Sequence, residues 1–232
     1  MQAICLHLIL SLFLVLGSSV RGEEIPPNVV LIFADDLGYG DLGCYGAKYK
    51  TPALDQMAAE GFRSTDFIVP ANVCSPSRGA LLTGRYPMRN GLPVYRTADK
   101  SWNYGLRPEE ITIAELLKQA GYRSLAVGKW HIGFEKDGAH PMDASFDAYC
   151  GLPYNYSKKR GPENMAIYRD RDVEEKNVAF ESLTANYTRE VVQFIEQQTA
   201  EQPFFIYLAH QIAHTPILPS CTPSIPVGPT HR

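Results

Sequence analysis

The sequence predicts an α/β layered fold with a mainly parallel central sheet that is flanked by helices. Two continuous apolar runs, at residues 28–34 and 204–209, have the composition of strands that are buried on both faces. A shorter strand at residues 123–127 and segments with helical periodicity lie between them. Strands that alternate with helices in this way are typical of a parallel α/β sheet.

Length and charge limit the class of protein before any motif is considered. The 232 residues suffice for one large domain or two small ones with a sizeable core. Lysine and arginine number 22 against 25 aspartates and glutamates, and the resulting net charge of −3 argues against a general nucleic-acid binder. We therefore expect no nucleic acid among the partners, and the composition leaves the oligomeric state open.

The N-terminus has the pattern of a signal peptide over residues 1–22. Its apolar run from Ile4 to Leu16 is too short to span a bilayer, which needs about 20 apolar residues, and small residues follow it. No lysine or arginine precedes the run, so an uncleaved anchor is the alternative. Both interpretations predict an exported protein, which is secreted, periplasmic or lysosomal depending on the host.

The first strand, Asn28 to Ala34, ends in the acidic pair Asp35 and Asp36 and a glycine-rich loop. Ligand sites of open α/β sheets lie at this carboxyl edge. Two neighbouring carboxylates need a counter-charge, and a hard divalent cation such as calcium or magnesium can supply it. An Asp-Asp pair in a loop is also commonly a turn or a helix cap, so the pair alone leaves both interpretations open.

Three helices are predicted between the strands, at residues 51–61, 108–121 and 182–201, from their start and stop residues and their apolar periodicity. Their core-facing residues are expected to be Leu54, Met57 and Ala58, then Ile113, Leu116 and Leu117, and finally Tyr187, Val191, Phe194 and Ile195. The segment between Tyr154 and Phe180 contains the run RDRDVEEK, and we interpret it as a solvated surface excursion.

Cys74 and Arg78 lie in the segment CSPSRGALLTGR. The cysteine precedes a predicted short helix, whose positive end favours an anion. Arg78 follows about one turn later and can hold an oxyanion or a group made from the cysteine. A single cysteine is more often an inert buried residue, so its interpretation depends on the surrounding motif.

That motif closely resembles the signature of the sulfatase family. A second family signature is present from Gly121 to His131 as GYRSLAVGKWH. The segments at residues 26–43, 151–154 and 203–216 are most similar to the arylsulfatase A branch. The resemblance therefore implies an alkaline-phosphatase-like layered fold, with residues 23–218 forming the N-terminal part of a sulfatase catalytic domain.

The resemblance implies a sulfuric ester hydrolase of the arylsulfatase type. In this family the motif cysteine is oxidised to formylglycine by a dedicated formylglycine-generating enzyme, so Cys74 is the expected nucleophile. Asp35 and Asp36 would bind Ca2+ together with the modified Cys74. Arg78 would stabilise the formylglycine hydrate and the charge beside the metal.

Further site residues follow from the same resemblance. Lys129 would hold the sulfate and aldehyde oxygens, and His131 would take the proton of the second hydroxyl. His214 would contact the sulfate ester near its leaving oxygen. Apart from the resemblance, Asn155 is a candidate substrate contact at the rim of the pocket, and a turn residue is the alternative interpretation. The implied substrate is a sulfated small molecule, glycan or glycolipid.

The sequence also departs from the family pattern. The family completes its calcium site with a later Asp-Asn pair and adds a second active-site lysine, and neither is present here. The segment from Pro216 to Arg232 contains five prolines, so we interpret residues 219–232 as an aberrant Pro-rich tail and expect a C-terminally incomplete fold.

Two other functions are therefore kept beside the sulfatase hypothesis. One is a truncated, catalytically inactive fragment that binds sulfate at most. The other is a phosphatase or phosphodiesterase of the same superfold. Those enzymes use serine or threonine with zinc, so a cysteine at position 74 argues against the second alternative.

Overall fold

The computed structural model describes residues 25–92, 105–134, 139–155 and 165–214. The predicted signal segment at residues 1–22 and the predicted tail at residues 219–232 lie outside the described residues. None of the helices within the described ranges is long and apolar enough to cross a membrane.

The described chain forms a six-stranded, mainly parallel sheet, as predicted. The strands are β1 (Val29–Asp35), β2 (Arg123–Lys129), β3 (Ala148–Leu152), β4 (Ala166–Arg169), β5 (Asp172–Lys176) and β6 (Phe204–Ala213). Their order is β1-β6-β2-β3-β4-β5. The first four strands in this order are parallel, and β4 and β5 extend the sheet with antiparallel pairing.

Five α-helices connect or flank these strands within the described residues. They are α1 (Pro52–Glu60), α2 (Cys74–Thr83), α3 (Pro87–Asn90), α4 (Ile113–Gln119) and α5 (Leu183–Glu196). Short 3-10 turns occupy Tyr39–Asp41, Gly43–Tyr45 and Phe180–Ser182.

The two faces of the sheet bury two separate apolar clusters, because successive side chains of β6 point to opposite faces. Phe205, Tyr207 and Ala209 pack in one cluster with Trp130 and Phe146. On the other face Phe204, Ile206 and Leu208 pack against the apolar side of α5, which consists of Leu183, Tyr187, Val191 and Phe194. Apolar side chains thus pack on both faces of β6, which lies between β1 and β2.

The first two predicted helices differ from the structure in where one begins and in which side chains both of them bury. The helix predicted at 108–121 begins only at Ile113, because the Thr112 hydroxyl accepts a hydrogen bond from the Glu115 backbone N–H and caps the helix there. Leu116 is 55% exposed, so it does not face the core as predicted. In α1 the predicted core residues Leu54 and Met57 are also exposed.

The third predicted helix is shorter than expected, since α5 ends at Glu196. Tyr187, Val191 and Phe194 are buried as predicted, whereas Ile195 is 39% exposed.

The charged segment after Tyr154 is structured where the structure describes it. Residues 166–176 form the hairpin of β4 and β5, and every residue of β5 is exposed. Arg169 fixes this hairpin to α5 through two hydrogen bonds to the Glu190 carboxylate, at 2.8 and 2.9 Å. The predicted exposure was therefore correct for β5, whereas the regular hairpin was not predicted.

Candidate active site

The candidate site lies at the carboxyl edge of the three strands β1, β6 and β2. Asp35 and Lys129 are the last residues of β1 and β2, and His210 is on β6 between them. Helix α2 brings Cys74 and Arg78 to the same edge, where Arg78 contacts all three strands.

Arg78 is the structural centre of the site, and its side chain is completely buried. Its guanidinium donates from Nη1 to the Lys129 carbonyl oxygen at 2.6 Å and from Nη2 to the His210 carbonyl oxygen at 3.3 Å. The Nη2 atom also lies 3.4 Å from the Asp35 carboxylate, and the guanidinium carbon lies 5.2 Å from the centre of the Phe33 ring. A buried cation held this way loses little entropy when it binds an anion.

Asp35 is shared by two buried cations. Its carboxylate is 3% exposed and forms an ion pair with the Lys129 ammonium in addition to Arg78. Burial lowers the pKa of Lys129, and the neighbouring Arg78 charge lowers it further, while Cys74 and Asp35 act in the opposite direction. One carboxylate and two cations leave an excess of positive charge, which suits an anionic ligand.

Cys74 and His131 form a second contact at the same edge. The Cys74 sulfur lies 3.1 Å from His131 Nδ1. Cys74 is the first residue of α2 rather than a residue ahead of the helix, and it is partly exposed. His131 follows β2 by two residues and has a left-handed backbone with φ 58°, which is uncommon for a residue with a Cβ.

A third group of contacts joins Asp36, His214 and Asn155. His214 Nε2 lies 3.8 Å from the Asp36 carboxylate and 3.2 Å from the Asn155 side-chain nitrogen. Asp36 also has a left-handed backbone, with φ 61°, and its side chain is 61% exposed. This turn separates Asp36 from the buried carboxylate of Asp35, although the two residues are neighbours in sequence.

The residues present fit a calcium ion only in part. Carboxylate oxygens are the ligands that this cation prefers, and Asp35 and Asp36 supply them at the strand end. Across the described ranges, however, no group of three or more His, Cys, Asp or Glu side chains is placed to hold a metal. Asp35 is moreover already neutralised by Lys129 and Arg78.

All eight residues singled out from the sequence thus take part in three neighbouring sets of contacts. Sequence reasoning missed the groups that hold Arg78, which are the backbone carbonyls of Lys129 and His210 and the ring of Phe33. A carbonyl carries no residue-type signal, so no sequence pattern could have identified the first two.

The described residues from position 27 onward match a known protein family. The family model described as Sulfatase matches residues 27–226, which is most of the chain. The chain belongs to the sulfatase family. Cys74, Lys129 and the other site residues all lie within the matched range.

The individual relatives that match the chain are also named sulfatases. The chain is 40% identical over 227 residues to N-acetylgalactosamine-6-sulfatase of Canis lupus familiaris, covering 88% of this chain and 43% of that protein. It is 39% identical over 228 residues to human arylsulfatase A, covering 89% of this chain and 45% of that protein. The chain therefore spans less than half the length of these sulfatases.

Solved structures agree with the fold. The crystal structure of Ps i-CgsB matches with a TM-score of 0.71 and 33% identity, over 82% of this chain and 46% of that one. The structure of BT4656 in complex with its substrate D-glucosamine-2-N,6-O-disulfate matches with a TM-score of 0.64 and 25% identity, over 82% of this chain and 35% of that one. The alkaline-phosphatase-like layered fold that the sulfatase resemblance implied is confirmed.

Proposed function

We propose that the protein hydrolyses sulfate monoesters through a formylglycine made from Cys74. The observation that supports this most directly is the contact of 3.1 Å between Cys74 Sγ and His131 Nδ1 beside the buried cations of Arg78 and Lys129. A nucleophile paired with a base and backed by fixed positive charge suits transfer of an anionic group.

Each residue has a role that follows from its contacts. The formylglycine would supply a hydrated aldehyde oxygen that attacks sulfur, and calcium held by Asp35 and Asp36 would neutralise sulfate oxygens. Arg78 and Lys129 hold negative charge that develops on the transferred group, because they are buried and already oriented. His131 would accept the proton of the second hydroxyl of the hydrated aldehyde, so that the aldehyde re-forms and sulfate leaves; its Nδ1 is within hydrogen-bond reach of the group at position 74.

His214 and Asn155 would act on the other side of the ester bond. A proton on the His214 imidazole would be given to the leaving oxygen, and the Asp36 carboxylate lies 3.8 Å from Nε2 of that ring. Asn155 is 3.2 Å from His214 Nε2 and would fix the orientation of the ring. Together with Lys129, His214 and Asn155 form the proposed substrate contacts.

The proposed substrate is a sulfated small molecule, glycan or glycolipid. A relative that is 40% identical is named for an N-acetylgalactosamine 6-sulfate activity, and BT4656 binds a disulfated glucosamine as its substrate. Both facts favour a sulfated amino sugar. We further propose that the protein is exported, from the pattern of residues 1–22, and that a formylglycine-generating enzyme matures it.

A sulfate-binding protein without turnover is the second candidate. It is favoured by the partial fit of the described carboxylates to calcium, since Asp35 is already paired with Lys129 and Arg78. The two functions are separated by expressing the gene product that carries this sequence together with a formylglycine-generating enzyme.

Hydrolysis of a chromogenic aryl sulfate then tests the first candidate, with Cys74→Ala as the control. Turnover by the parent that is lost in Cys74→Ala supports the hydrolase. Binding of inorganic sulfate without turnover supports the second candidate. An aryl phosphate in the same assay tests the phosphatase alternative, for which equal or faster turnover would contradict the proposal.

A further inference from the structure

Tyr207 lies beneath the candidate site, and no role was assigned to it from the sequence. It is the fourth residue of β6, paired with Leu31 of β1 and Ala126 of β2, and is 1% exposed. Its ring faces the cluster on the α4 side of the sheet, with its centre 6.4 Å from that of Phe33. This is the ring against which the Arg78 guanidinium rests, at 5.2 Å.

Two buried polar atoms in this region have no hydrogen-bond partner within the described residues. One is the Nε of Arg78, and the other is the hydroxyl of Tyr207. Each Nη atom of Arg78 donates to a carbonyl oxygen, whereas Nε is the guanidinium nitrogen without a hydrogen-bond partner among the described residues. Burial raises the pKa of the Tyr207 hydroxyl, and the Arg78 charge opposes that rise, as expected for neighbouring groups.

We propose that the Tyr207 hydroxyl accepts a hydrogen bond from Arg78 Nε–H and so positions the guanidinium for the sulfate group. The inference rests on the proposed function only in assigning the anion that Arg78 serves. A hydrogen bond between the two groups would give both of them a partner, and leaving a charged donor unpaired in the interior is costly.

A hydrogen bond at Nε restricts rotation of the Arg78 guanidinium. The two carbonyl contacts hold the outer nitrogens of Arg78, and the Phe33 ring supports its flat face. A bond at Nε fixes the stem side of the same plane, so the guanidinium cannot turn about its contacts with the strands. Tyr207 is thus a positioning residue that acts through Arg78, with no contact to substrate of its own.

The test compares Tyr207→Phe with Tyr187→Phe. Tyr187 is a matched control because it is also 1% exposed and its hydroxyl has no hydrogen-bond partner in the described part of the chain either. It belongs to α5, however, and packs on the opposite face of the sheet. We expect Tyr207→Phe to weaken binding of inorganic sulfate about tenfold and to lower kcat for an aryl sulfate by a similar factor. Tyr187→Phe should change either quantity less than about twofold.

A double-mutant cycle with Arg78→Lys separates positioning from general packing. Lysine has no Nε–H of this kind, so adding Tyr207→Phe to Arg78→Lys should leave the sulfate affinity unchanged. The same tenfold loss in both backgrounds, or a sulfate affinity of Tyr207→Phe close to that of the parent, would overturn the inference. The affinity of inorganic sulfate needs no turnover, so the cycle is readable even where Arg78→Lys is inactive.

The outcomes also distinguish this inference from the proposed function. Sulfate binding that shows the coupling without any ester hydrolysis would contradict the hydrolase and leave the role of Tyr207 intact. A crystal structure of the unsubstituted gene product gives a check that needs no variant. A direct contact of about 3 Å between Nε and the hydroxyl is expected, and a water molecule between the two would contradict the proposal.

Discussion

The sulfur of Cys74 and the Nδ1 atom of His131 lie 3.1 Å apart, although 57 residues separate them in the chain. Helix α2 begins at Cys74, and β2 ends two residues before His131. The contact therefore depends on how the helix packs over the end of the strand. A group made from the cysteine would meet the imidazole without further movement of the backbone.

The first prediction concerns the chemical state of Cys74. Coexpression with a formylglycine-generating enzyme should lower the mass of the peptide that carries Cys74 by about 18 Da, since CH2SH becomes CHO. Peptides with Cys44 and Cys150 serve as internal controls and should keep the thiol mass. Burial raises the pKa of Cys150 to about 12, so this thiol should also resist alkylation in the folded protein. Full activity with an unmodified Cys74 would contradict the mechanism.

The second prediction separates the two carboxylates of the acidic pair. Asp35→Asn leaves the buried cations of Arg78 and Lys129 without their counter-charge, so the free energy of unfolding should fall by about 3 kcal/mol. Asp36→Asn affects a mostly exposed side chain and should change it by less than about 0.5 kcal/mol. Urea unfolding measures both values.

Calcium titration of the same two variants tests the metal assignment. Both substitutions should weaken calcium binding, because each removes a charged oxygen ligand. Undiminished activity of the parent protein after exhaustive chelation would show that the metal has no part in the reaction.

The third prediction uses Gly128, which precedes Lys129 in β2. It has a φ of 101°, and a Cβ at this position would overlap the carbonyl oxygen of Ala209 on β6. Gly128→Ala should therefore destabilise the protein by about 3 kcal/mol or more and displace Lys129. Gly121→Ala is the matched control, since its φ is 84° but nothing lies within 4 Å of the added carbon.

The control should cost about 1 kcal/mol, from backbone strain alone, and should preserve activity. Thermal unfolding and aryl sulfate turnover of both variants provide the comparison. Equal losses for the two alanines would mean that the close approach of β2 and β6 is unimportant.

The fourth prediction is a pH dependence of stability that involves His140. This ring is 1% exposed, and its Nδ1 accepts a hydrogen bond of 3.1 Å from the Met142 backbone N–H. Burial and the charge of Arg171 lower the pKa of His140, so the unfolded chain binds a proton more readily than the folded one. The contribution to stability is complete above the unfolded pKa of about 6.5 and is lost as the pH falls below it.

The urea midpoint should therefore drop between pH 7 and pH 5, and His140→Asn should reduce that drop, because asparagine keeps an acceptor for Met142 without titrating. Part of the slope should persist, since burial also lowers the pKa of His210. An unchanged slope in His140→Asn would contradict the assignment.

Strands with long apolar sequences were predicted more accurately than strands that are short or charged. Strands β1 and β6 are long apolar runs and were predicted within a few residues. Strand β3, AYCGL, was missed because a short stretch with cysteine and glycine does not differ from a loop. The hairpin of β4 and β5 was hidden by its charges, which lie on an exposed edge of the sheet.

Sequence motifs identified the site residues, but they did not predict how these residues are arranged in the fold. The motif around Cys74 and the one ending at His131 named the chemical groups, but not the burial of Arg78 beneath the strand ends. That burial depends on β6 lying between β1 and β2, which no local pattern encodes. The left-handed backbones of Asp36 and His131 were equally unpredictable, since neither residue type marks this conformation in a sequence as glycine does.

The strand order β1-β6-β2 also dictates when the site can form. During synthesis β1 and β2 emerge well before β6, and neither pairs directly with the other. The chain must keep the two strands apart, or hold them unpaired, until residues 204–213 are available to enter between them. Such long-range closure is slow compared with local folding. The contacts of Arg78 with Asp35, Lys129 and His210 are thus complete only once β6 has paired with both strands.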